Sequence, residues 1–315
     1  MMMRLIDGTD VSVFPICLGG NVFGWTADER ASFAVLDRYA AEGGNFIDTA
    51  DAYSAWVPGH TGGESEAIIG KWMASRRLRD RIVIATKVGM APGVTGLSPA
   101  TIRAAAEASL ARLQVERIDL YYAHADDPNT PIEDSLRAFS SLVGEGKVRH
   151  IAASDFTAPR LAEALAVSER GGFARYVALQ PHYNLVHRQE YEGDLLGVCA
   201  RAGLGCLPYF ALAKGFLTGK YRPGSSVDSV RSAAARAYLD ERGLRLLAAL
   251  DHLAANRHTT VAAVSLAWLL AQPTVVAPIA SARTVEQLAD LLPAAALTLT
   301  ADEIGALSAV SAGRA

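Results

Sequence analysis

Cysteine is scarce: three in 315 residues, at Cys17, Cys199 and Cys206, an odd number set in apolar contexts without metal-ligand spacing. That excludes a disulfide scaffold and fits buried thiols in a reducing compartment. Charge of one sign is lacking too. Thirty Lys and Arg against 33 Asp and Glu leave a formal net charge of −3. The one basic cluster, Arg76-Arg77-Leu78-Arg79-Asp80-Arg81, sits between a helical pattern and a strand. A solvated loop is expected there, not a nucleic-acid surface. The most apolar window, Val261 to Ala271, is too short to span a bilayer. The start, Met1 to Gly8, turns polar too soon for a signal peptide. These readings predict a cytoplasmic protein with neither a membrane nor a nucleic acid as partner. No helical pattern carries an apolar stripe on its exposed side, so monomer and homo-oligomer stay equally open.

Half of the residues are hydrophobic and a fifth charged, which suits a large core. Asp7-Gly8 between short β-prone runs predicts a hairpin ending at Val13. Strand and helix patterns then alternate. Strands are expected at Val13–Leu18, Asn45–Asp48, Arg81–Lys87, Ile118–His124, Val148–Ser154, Tyr176–Gln180, Gly205–Tyr209 and Val275–Pro278. Helices follow them, several opened by a capping residue: Asp28 or Thr26, Ser98-Pro99, Thr157 and Thr300. Ala211 to about Ala237 breaks the rhythm and reads as a long functional loop. Eight strands alternating with helices predict an α/β protein, a (β/α)8 TIM barrel with an N-terminal β-hairpin and extra C-terminal helices, spanning 1–315 as one domain. The competitor, a doubly wound nucleotide fold, would show Gly-x-Gly-x-x-Gly after an early strand. The chain has none.

Asn45-Phe46-Ile47-Asp48-Thr49-Ala50-Asp51-Ala52-Tyr53 organises the rest. A short apolar run ends in two carboxylates and a phenol, as a buried strand looks where it leaves a sheet. The pattern recurs, with runs ending at Lys87, His124, Ser154, Gln180 and Tyr209. In such barrels the carboxyl ends of the strands carry the chemistry. A phenol with a pKa of about 10 is a weak acid at neutral pH. An ammonium beside it should lower that pKa, and a carboxylate should hold the ammonium charged and aimed. A histidine can polarise a carbonyl oxygen. Asp48, Tyr53, Lys87 and His124 thus form a proton donor for a developing alkoxide. With no metal-ligand pattern and no activated Ser or Cys, this suggests hydride chemistry with a borrowed cofactor.

Here the chain resembles the aldo-keto reductase superfamily over essentially its whole length. The motifs are Phe46 to Tyr53, Ala85-Thr86-Lys87, Asp119 to His124, Ser154-Asp155-Phe156, Gln180 to Asn184 and Gly215 to Tyr221. The resemblance implies a catalytic tetrad of Asp48, Tyr53, Lys87 and His124, with Tyr53 as general acid, and NADPH (NAD as the variant) lying across the barrel mouth. It implies that Gly20, Asn21 and Asp48 border the cofactor, that Ser154, Asp155 and Gln180 hold its carboxamide, and that Tyr209 stacks on the nicotinamide. Phe210, Leu212, Lys214, Gly215 and Lys220 would clasp the pyrophosphate, with Arg231 toward the adenosine. Ser281, Arg283, Gln287 and Asp290 would grip the 2′-phosphate and adenine, for which an arginine is suited. Three positions depart from the family pattern. Asp155 replaces a usual Asn, Ser281 a frequent Gly, and Asp290-Leu291 an acidic-Asn pair.

The substrate implied is a small carbonyl compound or, in reverse, an alcohol. Phe23, Trp25, Trp56 and Phe216 sit in loops at the mouth and suggest an aromatic-lined pocket shared with Tyr53 and His124. Asp51 reads equally as a supporting carboxylate or a substrate contact. His150 opens a strand at the far end of the barrel, and His182 with His187 lacks a third ligand for a metal. Tyr121 and Tyr122 read as packing. Two other functions fit less of the pattern. An NADPH-binding regulatory subunit like the channel β subunits of the same superfamily would share the Gly-Lys-Tyr loop. A phosphate-binding isomerase or aldolase barrel would leave the tetrad unexplained.

Overall fold

The computed structural model describes residues 3–312. At its start β1 (Arg4–Leu5) and β2 (Ser12–Val13) pair antiparallel. Gly8 takes φ +72° in the turn closed by Thr9 N donating to Ile6 O at 3.1 Å. Asp7 is not left-handed, so the turn is not the primed type the Asp-Gly pair suggests but one with left-handed backbone at its second central residue alone, as in type II. Ile6, Val11 and Val13 pack into the amino end of the barrel against its interior residues, so the hairpin is the barrel floor.

The wall begins with β3 (Cys17–Gly19), β4 (Phe46–Asp48) and β5 (Val83–Val88). A small hairpin follows, β6 (Met90–Ala91) with β7 (Val94–Thr95), which the sequence pattern does not reveal. The wall resumes with β8 (Ile118–Ala123), β9 (Val148–Ser154), β10 (Tyr176–Gln180), β11 (Gly205–Cys206) and β12 (Ile279–Ala280). These eight form one parallel sheet in the order β11-β10-β9-β8-β5-β4-β3-β12. Its two edges meet. Cys206 N donates to Thr274 O at 2.8 Å, Val276 N to Cys206 O at 2.9 Å and Ile279 N to Pro208 O at 2.8 Å. The fold is a (β/α)8 barrel.

Two expectations need correction. The last strand lies at Ile279–Ala280 rather than Val275–Pro278, because Pro278 has no N–H for a ladder. The expected run still touches the wall on both sides: Val275 bridges Cys206 of β11, and Pro278 O accepts from Cys17 N of β3 at 3.0 Å. The stretch 211–237 is not structureless: it holds a 3-10 turn at Ala213–Thr218 and a short helix at Ser232–Arg236. Asp28, Ser98, Thr157 and Thr300 cap their helices as expected, each accepting from a first-turn backbone N–H. The C-terminal helix Ala301–Ser311 packs on Glu241–Asn256. Among the described residues no helix is long and apolar enough to cross a membrane.

Strand alternation positions the site. Phe46, Ala85, Leu120, Tyr122, Ala152, Ala178 and Leu207 fill the barrel interior, whereas Ile47, Ile84, Tyr121, Ile151 and Leu179 face the helices. Side chains two apart share a face. Continuing the inward series to the carboxyl ends therefore delivers Asp48, Lys87, His124, Ser154, Gln180 and Tyr209 to one mouth.

Candidate active site

At that mouth Lys87 is fully buried and donates three hydrogen bonds. They go to Asp48 Oδ2 at 2.7 Å, Thr49 O at 2.8 Å and Tyr53 Oη at 3.0 Å. Tyr53 Oη lies 3.3 Å from Asp48 Oδ2, to which it can donate. Gln180 Nε2 donates to Asp48 Oδ1 at 2.9 Å, so both carboxylate oxygens are engaged. A buried ion pair with both carboxylate oxygens and all three ammonium protons engaged is the arrangement that offsets its own desolvation. Parallel pairing of β4 with β5 sets Asp48 beside Ala85, and Lys87 stands one inward position further along. The ammonium also lies 4.7 Å from the Tyr53 ring centroid and 5.6 Å from that of Tyr122. Tyr122 thus packs, as expected, but against the lysine.

Burial first, then the Asp48 carboxylate, push the Tyr53 phenol well above its ordinary range. This reverses the sequence expectation. Lys87 was expected to lower the phenol, yet its charge is already matched by Asp48 and burial disfavours the phenolate. Tyr53 is a firmly protonated donor. His124 sits with its ring 6.2 Å from that of Tyr53, edge to face. Burial and the Lys87 charge push its pKa down to about 3, so the imidazole is neutral at physiological pH. Its Nδ1 has no hydrogen-bond partner among the described residues.

The tetrad opens into a cleft of about 680 Å³. Asn21, Ser154, Asp155, Gln180, Tyr209, Phe210, Leu212, Lys214, Gly215, Lys220, Arg231, Ser281, Arg283, Gln287 and Asp290 all line it. Gly20 does not. Gly19 takes that place, while Gly20 turns its carbonyl to Ser65. Arg231 lies nearer the tetrad than the adenosine assignment implied: its guanidinium stands 5.6 Å from the Trp25 ring centroid, and its charge acts on Tyr53 as well as Arg283. The loop over the cleft runs through left-handed backbone at Phe210, Ala213, Lys214 and Gly215. Three of these are not glycine, each at a cost of about 1–2 kcal/mol, so tertiary contacts hold the loop in this form.

Lys214, Lys220, Arg231 and Arg283 have no ion pair among the described residues. Burial, then the charges of Arg283 and Arg231, depress the Lys220 pKa. Unmatched cations crowded along a cleft fit a ligand carrying several phosphates, such as a dinucleotide.

Trp25 and Trp56 meet edge to face, centroids 5.4 Å apart, at the tetrad end of the cleft. Phe23 does not join them. It is fully buried, as is Phe216, and both belong to the core, because loop residues obey no two-residue alternation. Met90, in the unanticipated hairpin, does line the cleft and is 51% exposed. Asp51 is buried outside the cleft, which removes the substrate-contact reading. Neither carboxyl oxygen has a partner among the described residues, and burial, then Glu66, raise its pKa to about 7. Glu66 itself accepts from Thr86 Oγ1 at 2.5 Å and Arg112 Nε at 2.7 Å. His150 is 3.2 Å from Asp10, away from the site. His182 and His187 stack ring on ring, centroids 3.7 Å apart, rather than converging on a point.

Residues 15–312 match the model of the aldo/keto reductase family. The chain is 35% identical over 322 residues to the oxidoreductase YrpG of Bacillus subtilis, covering 99% of this chain and 97% of the relative. It is 33% identical over 319 residues to the norsolorinic acid reductase of Aspergillus flavus (95% and 78%). It is 30% identical over 337 residues to an aldo-keto reductase, AMT2, of Alternaria alternata (95% and 89%).

Proposed function

The chain belongs to the aldo/keto reductase family, and from that premise we propose that it is an NADPH-dependent enzyme reducing an aldehyde or ketone to an alcohol, with Tyr53 as the proton donor. The observation that carries the reading is the buried Lys87–Asp48 pair hydrogen-bonded to a phenol that burial keeps protonated. A nicotinamide dinucleotide, when bound, supplies the hydride that reaches the carbonyl carbon.

The protein residues would divide the remaining work. His124, neutral, donates an N–H to the carbonyl oxygen and fixes its position. Tyr53 Oη then releases its proton to that oxygen as negative charge develops there. An alkoxide is a far stronger base than a phenolate, so even a phenol of raised pKa delivers its proton downhill. Lys87 compensates the charge left on Tyr53, and Asp48 with Gln180 holds the ammonium in place. By microscopic reversibility the same residues would serve alcohol oxidation, with the Tyr53 phenolate taking back the proton.

Ser154, Asp155 and Gln180 are the residues we assign to the carboxamide, and Tyr209 to the nicotinamide face. The loop from Phe210 to Lys220, with Arg231, would take the pyrophosphate. Asn21, Ser281, Arg283, Gln287 and Asp290 would take the adenosine end, where Ser281 Oγ already donates to Asn21 Oδ1 at 2.6 Å. The NADPH preference rests on Arg283 standing unpaired at that end. Substrate would enter past Trp25, Trp56 and Met90. The reading extends to a single barrel domain working in the cytoplasm, in keeping with three buried free thiols.

The test is NADPH binding and oxidation with a panel of aromatic and aliphatic aldehydes, beside Tyr53→Phe. Turnover that collapses in the variant while binding is retained supports the enzyme and its acid. Tight binding with negligible turnover in both proteins favours the regulatory alternative. Absence of nicotinamide binding overturns the reading.

A further inference from the structure

The cleft is electrically polarised. Its four unpaired cations lie along the loop after β11 and beyond, at Lys214, Lys220, Arg231 and Arg283. Of the three carboxylates that line it, Asp290 lies with Arg283 and Gln287 at the cation end, while Asp48, neutralised by Lys87, and Asp155, which has no ion pair among the described residues, stand at the tetrad end. Asp155 directly follows β9 and takes φ +50°, a left-handed conformation that Asp and Asn tolerate better than other side chains. Its Oδ1 accepts from Tyr209 Oη at 2.9 Å. Behind Tyr209 the rings continue as a column. His182 stacks on Tyr209 with centroids 5.3 Å apart and planes 22° apart, and His187 stacks on His182. Tyr209 is therefore fixed at its hydroxyl by a carboxylate and at its back by an imidazole.

We propose that Asp155 is a positioning and charge-setting residue: it locks the Tyr209 ring and places a negative charge at the nicotinamide end of the cleft, so that the protein holds the cationic oxidised cofactor more tightly than the neutral reduced one. This rests on the proposed function, since it presupposes that Tyr209 bears a nicotinamide. The sequence position alone gives no such role. An amide there would serve as a neutral hydrogen-bonding group, whereas a carboxylate distinguishes two ligands that differ by one positive charge.

The groups that act on Asp155 are few. Tyr209 donates to it, Glu190 opposes its ionisation and Lys87 favours it, while burial raises its pKa overall. His182, His187 and Lys214 stand behind the tyrosine. Protonating Asp155 removes the charge, so affinity for NADP+ should fall with pH while affinity for NADPH changes little.

The experiment is equilibrium binding of NADP+ and of NADPH to wild type, Asp155→Asn and Tyr209→Phe. It reads affinity and needs no turnover. The expected result in Asp155→Asn is a loss of NADP+ affinity relative to NADPH of about tenfold, the scale of one charge across a partly screened site. Tyr209→Phe, which keeps the carboxylate but breaks the bond, should weaken both forms and preserve the preference. The wild type carries its own control: relative NADP+ affinity should decline as pH falls through the Asp155 titration, a decline that Asp155→Asn should flatten. Equal changes in both affinities for Asp155→Asn, or a wild-type ratio independent of pH, would overturn the inference and leave the proposed function standing. Failure of the wild type to bind either dinucleotide would overturn the proposed function and this inference with it.

Discussion

Replacing Lys87 by Met should destabilise the protein and abolish its chemistry for one traceable reason. The ammonium is wholly buried and its three acceptors are all inside the barrel mouth. Methionine fills much of the stem but leaves Asp48 as a buried carboxylate facing a phenol and a glutamine amide, with no cation. Stranding one partner of a buried pair costs about 3–5 kcal/mol. For a chain of this length each kcal/mol corresponds to about 1.5 °C, so the melting temperature should fall by about 5–8 °C. A second substitution, Asp48→Asn, removes the stranded charge while keeping an acceptor for Gln180 Nε2. The double variant should therefore regain about 2–3 kcal/mol over Lys87→Met alone, a coupling typical of groups in direct contact. Both variants should reduce carbonyls at least about a hundredfold more slowly, because Tyr53 loses the charge that compensates its departing proton. Urea denaturation of the four members of the cycle gives the coupling, and NADPH oxidation gives the rate. If Lys87→Met unfolds where wild type does, or if the two substitutions simply add, the pair is not the balanced buried charge on which the site argument depends.

Two further outcomes follow, one from a carboxyl buried outside the cleft and one from an aromatic ring that lines it. The raised pKa of Asp51, about 7, means that between about pH 4 and pH 7 the folded protein binds a proton that the unfolded chain has released. This residue's contribution therefore makes stability fall as pH rises through that window and level off above it. Asp51→Asn should remove the decline and stabilise the protein at about pH 8 by up to about 4 kcal/mol, measured as the difference between the urea curves of variant and wild type at each pH; a pH-independent difference would refute it. Trp56 is 49% exposed and touches Trp25 edge to face. Trp56→Ala should leave stability within about 0.5 kcal/mol yet raise KM for an aromatic aldehyde about fivefold, leaving a short aliphatic aldehyde unaffected. Equal losses on both substrates would show that Trp56 shapes the loop rather than the pocket.

What was legible in the sequence was what strand geometry dictates. Asp48, Lys87, His124, Ser154, Gln180 and Tyr209 each follow an inward series by two residues, so one period-two rule applied to several apolar runs delivers them together. Loops obey no such rule. Phe23 and Phe216 looked like mouth aromatics and are core, while Met90 looked like nothing in particular and lines the cleft. Glu66 was beyond reach for another reason: it meets Arg112 across 46 residues of sequence, and no local pattern encodes that pairing. The Tyr53 pKa was misjudged in direction because a lysine and an aspartate at the right spacings fix which charges meet but not how dry the place is where they meet. Lys87 is matched by Asp48, and what acts on the phenol is dehydration first and the Asp48 carboxylate second, both of which favour the neutral acid. The same cancellation explains why Asp155 matters more than Asp48 to the charge of a bound ligand. A carboxylate already held by an ammonium presents little net field, whereas one held only by a phenol presents most of its own.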